Sequence, residues 1–347
     1  MPLASELEAR TARHRETRER SYALLDAARA EAKTKRKYDS AAVRCTMTEM
    51  CQKKTGLTPY PEQLDLAECM LLGLDATCIA GTGWGKTLPF VLPLFVSPRK
   101  IIIIISPLNA LEADQASRFQ KMGFRAIAIN GTTYNSDIEK AVKLGSYSII
   151  LVGPKMCVDT QCSFRDVLSS PEFGKRILGV HVDEAHCIAQ WGGKFRPEYS
   201  HLESVPVQVT SATMPPHVLK LAHETMNISP LESFHLNLGN NRHNITWKVR
   251  YMKAGRPELD ELDFLLPTSP DTVTLMRTMV FFDDISLSMK ARRWFKKHLP
   301  PHLYARVRCY NARRGELSKR LVLQDFQDGK IDILLATEAA GMVSGHA

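Results

Sequence analysis

Five consecutive isoleucines, Ile101–Ile105, constrain the fold of this chain more than any other feature. The run is far shorter than the roughly 20 apolar residues that cross a bilayer. Its branched side chains favour a strand over a helix, and its unbroken apolar character requires burial on both faces, the pattern of a parallel strand covered by helices on either side. Similar short runs recur near 76–80, 125–129, 147–152, 178–182 and 206–210, with helical stretches between them. That alternation predicts a parallel α/β sheet. After the loose stretch Gly239-Asn240-Asn241-Arg242-His243-Asn244, strands are expected again at 245–251, 278–283, 305–309 and 331–336. A chain of 347 residues suits two domains. The expected layout is a charged N-terminal arm at 1–44, a first α/β lobe at 45–239 and a second at 240–347. No internal repeat of fixed period is present.

The first 40 or so residues are rich in Arg, Glu and Ala with few large apolar side chains, which predicts an exposed or frayed arm. Within it, Lys33-Thr34-Lys35-Arg36-Lys37 reads either as a nuclear import signal or as a solvated charged face. Thr46 followed by Glu49 has the form of a capping box, Gly56 offers a helix stop, and Pro61 opens a helix through Leu64, Leu66 and Leu72. The formal net charge of +9 makes a polyanion a natural partner. The eight cysteines form no CxxC pair or zinc-ligand spacing and are expected as reduced, buried thiols. Without a signal-peptide pattern or a membrane-length apolar run, the expected location is intracellular, with the nucleus the working assignment.

Two motifs carry chemistry. The first is Ala80-Gly81-Thr82-Gly83-Trp84-Gly85-Lys86-Thr87, between the strand-like ATCIA and a helix expected from Gly85. Glycines let backbone N–H groups close around phosphate oxygens, Lys86 supplies charge for the β- and γ-phosphates, and Thr87 offers a hydroxyl to Mg²⁺. The second is Val182-Asp183-Glu184-Ala185-His186 at the end of an apolar strand. Asp183 there would hold Mg²⁺, and Glu184 would orient and deprotonate the water that attacks the γ-phosphate. Lys86, Asp183 and Glu184 are therefore the candidate catalytic residues, ATP and Mg²⁺ the candidate cofactors, and Thr87 and Asp183 the candidate metal ligands.

The second motif continues into DEAHCIAQWGGKFRPEYSHL, residues 183–202, which resembles the RecQ family of superfamily 2 DNA helicases. The resemblance runs over roughly residues 45–342 and implies a P-loop NTPase: a RecA-like parallel-sheet lobe followed by an incomplete second RecA-like lobe. It implies that Trp191, Phe195 and Arg196 meet single-stranded DNA, for which base stacking and Arg contacts are suitable physics. Gly193-Lys194 stand where the family has His-Asp. Ser106-Pro107-Leu108-Asn109-Ala110-Leu111 with Asp114-Gln115 is similar to the motif that grips the DNA backbone, Ser106 offering its hydroxyl and N–H to a phosphate. Thr210-Ser211-Ala212-Thr213 resembles the motif that couples hydrolysis to lobe movement, with His186, Ser211 and Thr213 as coupling residues. Gln63 resembles the family's adenine-reading glutamine, and Tyr60 stands where the family has Arg.

In the second half, Val280-Phe281-Phe282 with the basic residues Arg292, Arg293, Lys296 and Lys297 is similar to the fourth motif, Tyr310-Asn311-Ala312 stands where Tyr-His-Ala is usual, and residues 335–342 match the start of the fifth. The sixth motif, with its arginine finger, has no counterpart in this sequence, and such an arginine is worth on the order of 10³ to 10⁵ in rate. The 331–336 strand is expected to lack its covering strand and helix, leaving an apolar surface for a protein partner. Two readings follow: an ATP-dependent DNA helicase tracking 3′ to 5′ on single-stranded or partly duplex DNA, or a non-catalytic, ATP-responsive nucleic-acid-binding remnant. An RNA helicase of the DEAD-box type is the weaker third.

Overall fold

The computed structural model describes residues 2–107, 109–158, 162–190, 205–241, 244–269 and 271–337. The chain divides into two compact units, Met1–Arg242 and His243–Ala347.

The first unit is built on seven strands: β1 (Ala76–Ala80), β2 (Ile101–Ile105), β3 (Ala126–Ile129), β4 (Ile149–Val152), β5 (Ile177–Val182), β6 (Val207–Ser211) and β7 (Phe234–Gly239). All pair in parallel, in the order β3-β4-β2-β5-β6-β1-β7. The isoleucine run explains why the sheet is buried on both sides. Ile101, Ile103 and Ile105 enter one core with Val180, Val182 and Phe164, while Ile102 and Ile104 enter another with Phe90, Leu92 and Phe119. Burying one such side chain contributes about 1.5–3 kcal/mol. Six expected strands are found to within two residues at each end; β7 has no counterpart in the sequence reading.

The N-terminal segment departs from expectation. Residues Pro2–Arg36 form a single helix, favoured by an Ala-, Arg- and Glu-rich composition. Its second half packs on β7 and on helix Pro61–Leu72, burying Ser21, Leu25 and Ala32. Ser21 Oγ accepts the His235 N–H at 2.9 Å, and Tyr22 meets Phe234 edge-on at 5.4 Å. Polar anchors do what an apolar stripe usually does, which is why a hydrophobicity argument missed them. The next helix is Ser40–Thr55, capped by Asp39, whose carboxylate accepts the Ala42 N–H at 3.1 Å. Thr46, expected as a cap, instead donates its hydroxyl to Ala42 O one turn back. Gly56 ends the helix at φ 73, and Pro61 opens the next. Of the eight cysteines, all free, Cys45 is exposed and Cys162 half-buried, so the expectation of buried thiols holds for the other six.

The second unit holds β8 (Thr278–Phe281), β9 (Val307–Tyr310) and β10 (Ile333–Ala336), parallel, in the order β8-β10-β9. The expectation of an uncovered 331–336 strand is overturned. β10 is the central strand, all four of its residues are fully buried, and its two faces enter separate cores, Ile333 and Leu335 with Phe295, Leu334 and Ala336 with Val322 and Phe326. Residues 245–251 form no strand: Trp247, Val249 and Tyr251 are 88%, 80% and 90% exposed. Their alternation has strand periodicity, but no described strand pairs with them. No helix among the described residues is long and apolar enough to cross a membrane.

Candidate functional site

The strand order sets β2, β5, β6 and β1 side by side, so the segments that leave their carboxyl ends form one row. Ser106, Asp183, the Ser211–Thr213 segment and the Ala80–Thr87 loop are those segments. This is the edge of an open α/β sheet where ligands bind.

The loop after β1 turns on Gly83 and Gly85, both at φ 87, a region that side chains with a Cβ rarely adopt. A Cβ on Gly85 would also meet Gln63 Nε2 at 2.8 Å. Regular helix begins only at Leu88, not at Gly85, because those two backbone angles are not helical and Pro89 and Pro93 cannot donate N–H bonds. Thr82 and Gly83 are exposed and Gly81, Trp84, Lys86 and Thr87 half-buried, leaving the loop accessible. Lys86 Nζ donates to Ala80 O at 3.1 Å and Gly81 O at 3.4 Å.

Gln63 behaves differently from the expectation that it reads adenine. It is 2% exposed and faces the loop backbone: Nε2 donates to Trp84 O at 3.0 Å and Gly85 O at 3.1 Å, while Oε1 accepts the Tyr60 N–H at 2.8 Å. Both amide protons are thus committed to the loop. Tyr60, 55% exposed, stacks on Trp84 with centroids 6.3 Å apart.

Asp183, directly after β5, is 5% exposed. Its N–H donates to Ile105 O at 2.9 Å, its Oδ1 accepts the Glu184 N–H at 3.0 Å, and its Oδ2 accepts Gln115 Nε2 at 2.7 Å. Burial, then the neighbouring Glu184 charge, push the Asp183 carboxyl up to about 6; the bonds from Gln115 and the Glu184 N–H, and the Lys86 ammonium, act the other way. Lys86, in the loop after β1, and Asp183, just after β5, leave the same edge of the sheet. Glu184 sits at φ 48, uncommon for a residue with a side chain.

His186 joins the acidic segment to β6. Its Nδ1 lies 3.2 Å from Glu184 Oε2 and 2.9 Å from Ser211 Oγ. Contact with Cys187, then with Glu184, pushes the imidazole up to about 10. Ser211 Oγ in turn lies 3.0 Å from Thr213 O and accepts the Thr213 N–H at 3.2 Å.

Ser106 does not offer its groups outward. It is fully buried, and its N–H donates to Val152 O at 3.1 Å, continuing the β2–β4 ladder beyond the strand end. Its hydroxyl is buried without a partner among the described residues, as are Gln115 Oε1 and both oxygens of Glu112. Gln115 belongs to the segment similar to the DNA-backbone motif, and its place on the helix that follows β2 brings its amide to Asp183 at the end of β5, a role that residue type alone does not reveal. Trp191, Phe195 and Arg196 lie outside the described residues, as do residues 338–342.

Thr87 and Asp183 offer oxygen donors, which suit Mg²⁺, and among the described residues no three His, Cys, Asp or Glu cluster to hold a metal unaided. That donor set fits an ion bound by one or two protein oxygens together with substrate phosphates.

Residues 60–221 match the DEAD/DEAH box helicase family. The chain is similar to the RecQ-like DNA helicase BLM of Xenopus laevis, 29% identical over 242 residues, covering 65% of this chain and 17% of that protein. It is similar to the probable ATP-dependent DNA helicase RecS of Bacillus subtilis, 26% identical, covering 83% of this chain and 56% of that one. The chain thus spans less than two thirds of these relatives. Its fold resembles that of the DUF1998 helicase MrfA bound to DNA and AMPPNP, with a TM-score of 0.62 at 17% identity over 87% of this chain and 45% of that one. It also resembles Saccharomyces cerevisiae Dbp5 bound to RNA and ADP BeF3, with a TM-score of 0.59 at 16% identity over 85% of this chain and 74% of that one. Residues 60–221 thus match the DEAD/DEAH box helicase model, the fold is one shared with these helicase structures, and the chain is similar to RecQ-type helicases over part of their length.

Proposed function

We propose that this chain works as the ATP-binding part of a RecQ-type DNA helicase, hydrolysing ATP with Mg²⁺ in response to single-stranded or partly duplex DNA and tracking 3′ to 5′. The observation that carries the reading is geometric: the glycine-rich loop with Lys86 and the buried Asp183 leave the carboxyl ends of β1 and β5, which stand in one row of the same parallel sheet. Such a pair suits a nucleotide's terminal phosphates and their metal.

In this mechanism Lys86 exchanges the Ala80 and Gly81 carbonyls for phosphate oxygens. Thr87 and Asp183 would hold Mg²⁺, which supplies charge neutralisation for the phosphates. Glu184 accepts the proton of the attacking water. His186, placed between Glu184 and Ser211, carries the resulting change in charge to the Ser211–Thr213 segment. Trp191, Phe195 and Arg196 are proposed to meet the DNA strand. Gln63 acts first as a brace under the loop, and Lys33–Lys37, in and just beyond the last turn of the N-terminal helix, supports a nuclear location.

Steady-state ATP hydrolysis by the full chain, with and without single-stranded DNA, tests the reading against a Lys86→Ala control. DNA-stimulated turnover that the control abolishes is the expected result. Equal turnover by both proteins would remove the proposed role of the loop.

A further inference from the structure

Within the second unit, a cavity of about 420 Å³ lies between helix Ile285–His298 and the start of β9. Arg292, Arg293 and Lys296 line it from the helix and Arg308 from the strand, with Tyr304 and Phe295 among its other walls and no carboxylate in the lining. Its volume falls within the range of small-ligand sites. None of the four cations forms an ion pair with a described carboxylate. Arg308 is held in place instead by backbone, its Nη1 donating to Tyr304 O and Val307 O, both at 3.3 Å. Lys296 Nζ sits 5.9 Å from the Tyr304 ring centre. Burial, then the like charges of Arg292 and Arg314, lower the Arg308 guanidinium's affinity for its proton, with Asp325 only partly opposing them. Among the described residues no carboxylate lines the cavity or pairs directly with these four cations.

Tyr304 precedes β9, and Val307 and Arg308 are its first residues, so the cavity lies toward the amino end of the strand. Open α/β sheets take their principal ligand at the opposite, carboxyl end. Four cations spread over a helix and a strand exceed what one monophosphate uses, while a half-buried tyrosine offers a face to a base. Guanidinium groups match phosphate geometry, and lysine adds a point charge.

We propose that this cavity grips the sugar-phosphate backbone of a nucleic-acid strand, with a base against Tyr304, as a contact separate from the phosphate loop and independent of nucleotide binding there.

The test uses the full chain and a fluorescent single-stranded DNA oligonucleotide. In Arg293→Ser/Lys296→Ser, which changes two exposed side chains, affinity at low salt is expected to fall about fivefold, and the slope of log K against log salt to shrink by about 1. The thermal midpoint and the binding of a fluorescent ATP analogue should stay unchanged. Unchanged DNA affinity and slope overturn the proposal. Lysine acylation read by mass spectrometry separates the sources of phosphate, with Lys297, which does not line the cavity, as the internal reference. Protection of Lys296 over Lys297 by the oligonucleotide, but not by inorganic pyrophosphate, supports the nucleic-acid site. Protection by pyrophosphate alone, or by neither, overturns it.

Discussion

Two helices of the first unit each bury a glutamate completely, and the two glutamates are opposites. Glu68, on helix Pro61–Leu72, is met by Arg29, Arg44, Tyr38 and Ser40, with Arg44 Nη1 at 2.8 Å and the Tyr38 hydroxyl at 3.1 Å. Glu112, on helix Asn109–Lys121, has no hydrogen-bond partner at either oxygen among the described residues. Burial would raise the Glu68 carboxyl, but the bonds from Arg29, Ser40 and Arg44 outweigh it and hold it below its usual range; burial alone pushes Glu112 up to about 7. The first helix is a fixed brace that carries Gln63 under the phosphate loop. The second carries Gln115 to Asp183 amid buried polar atoms that meet no partner among the described residues, an arrangement costly to hold in a low-dielectric interior.

The comparison breaks most severely if the brace can be cut without consequence. Replacing both partners, Arg29→Met/Arg44→Met, leaves Glu68 and Asp65 buried without their cations and should cost about 3–5 kcal/mol of stability, read as a shift in the urea midpoint. A loss under about 1 kcal/mol would mean the network is no more than a solvated surface cluster.

Glu112→Gln should act in the other direction, and only at high pH. The folded protein holds the Glu112 proton up to about 7 against an ordinary 4.5, so the folded state binds more protons than the unfolded one in that window. Stability is then complete below the unfolded value and is lost as pH rises through the folded one. The substitution should be near neutral at pH 4 and stabilise by up to about 3 kcal/mol at pH 8. Thermal unfolding across that range checks it, and destabilisation at pH 8 would show that the charge is used.

Gln115→Met removes one bond to the Asp183 carboxylate and should weaken Mg²⁺-dependent binding of a fluorescent ATP analogue about tenfold while leaving metal-free binding unchanged. An equal loss in both would make Gln115 a packing residue. The smallest expected effect is at Tyr60→Ala, where loss of the Trp84 stack should lower nucleotide affinity about threefold, measured in the same assay.

Much of this was legible in the residues. Strands β1 to β6 follow from β-branched apolar runs, and the loop and carboxylates from residue types whose chemistry is local. The departures share one cause, since each depends on a partner distant in sequence. Residues 245–251 have strand periodicity, yet a strand exists only if another pairs with it. The N-terminal helix lacks an apolar stripe and docks through Ser21, Arg29 and Tyr22, whose partners lie some 36 to 214 residues away. Gln63 and Ser106 carried the expected donors, but the fold turned the Gln63 amide and the Ser106 N–H inward to backbone carbonyls and buried the Ser106 hydroxyl.

By itself the sequence determined a parallel α/β sheet, a phosphate-type loop ending in Lys86 and Thr87, and paired carboxylates at Asp183 and Glu184, because periodicity and side-chain chemistry are properties of short segments. Only the tertiary structure decided that β2, β5, β6 and β1 stand adjacent, that Gln115 reaches Asp183 and His186 reaches Ser211, and that Glu68 is held charged by its partners while Glu112 meets none among the described residues. Hydrogen bonds act over about 3 Å and a buried charge is set by what surrounds it, so neither is fixed until distant segments have been packed together.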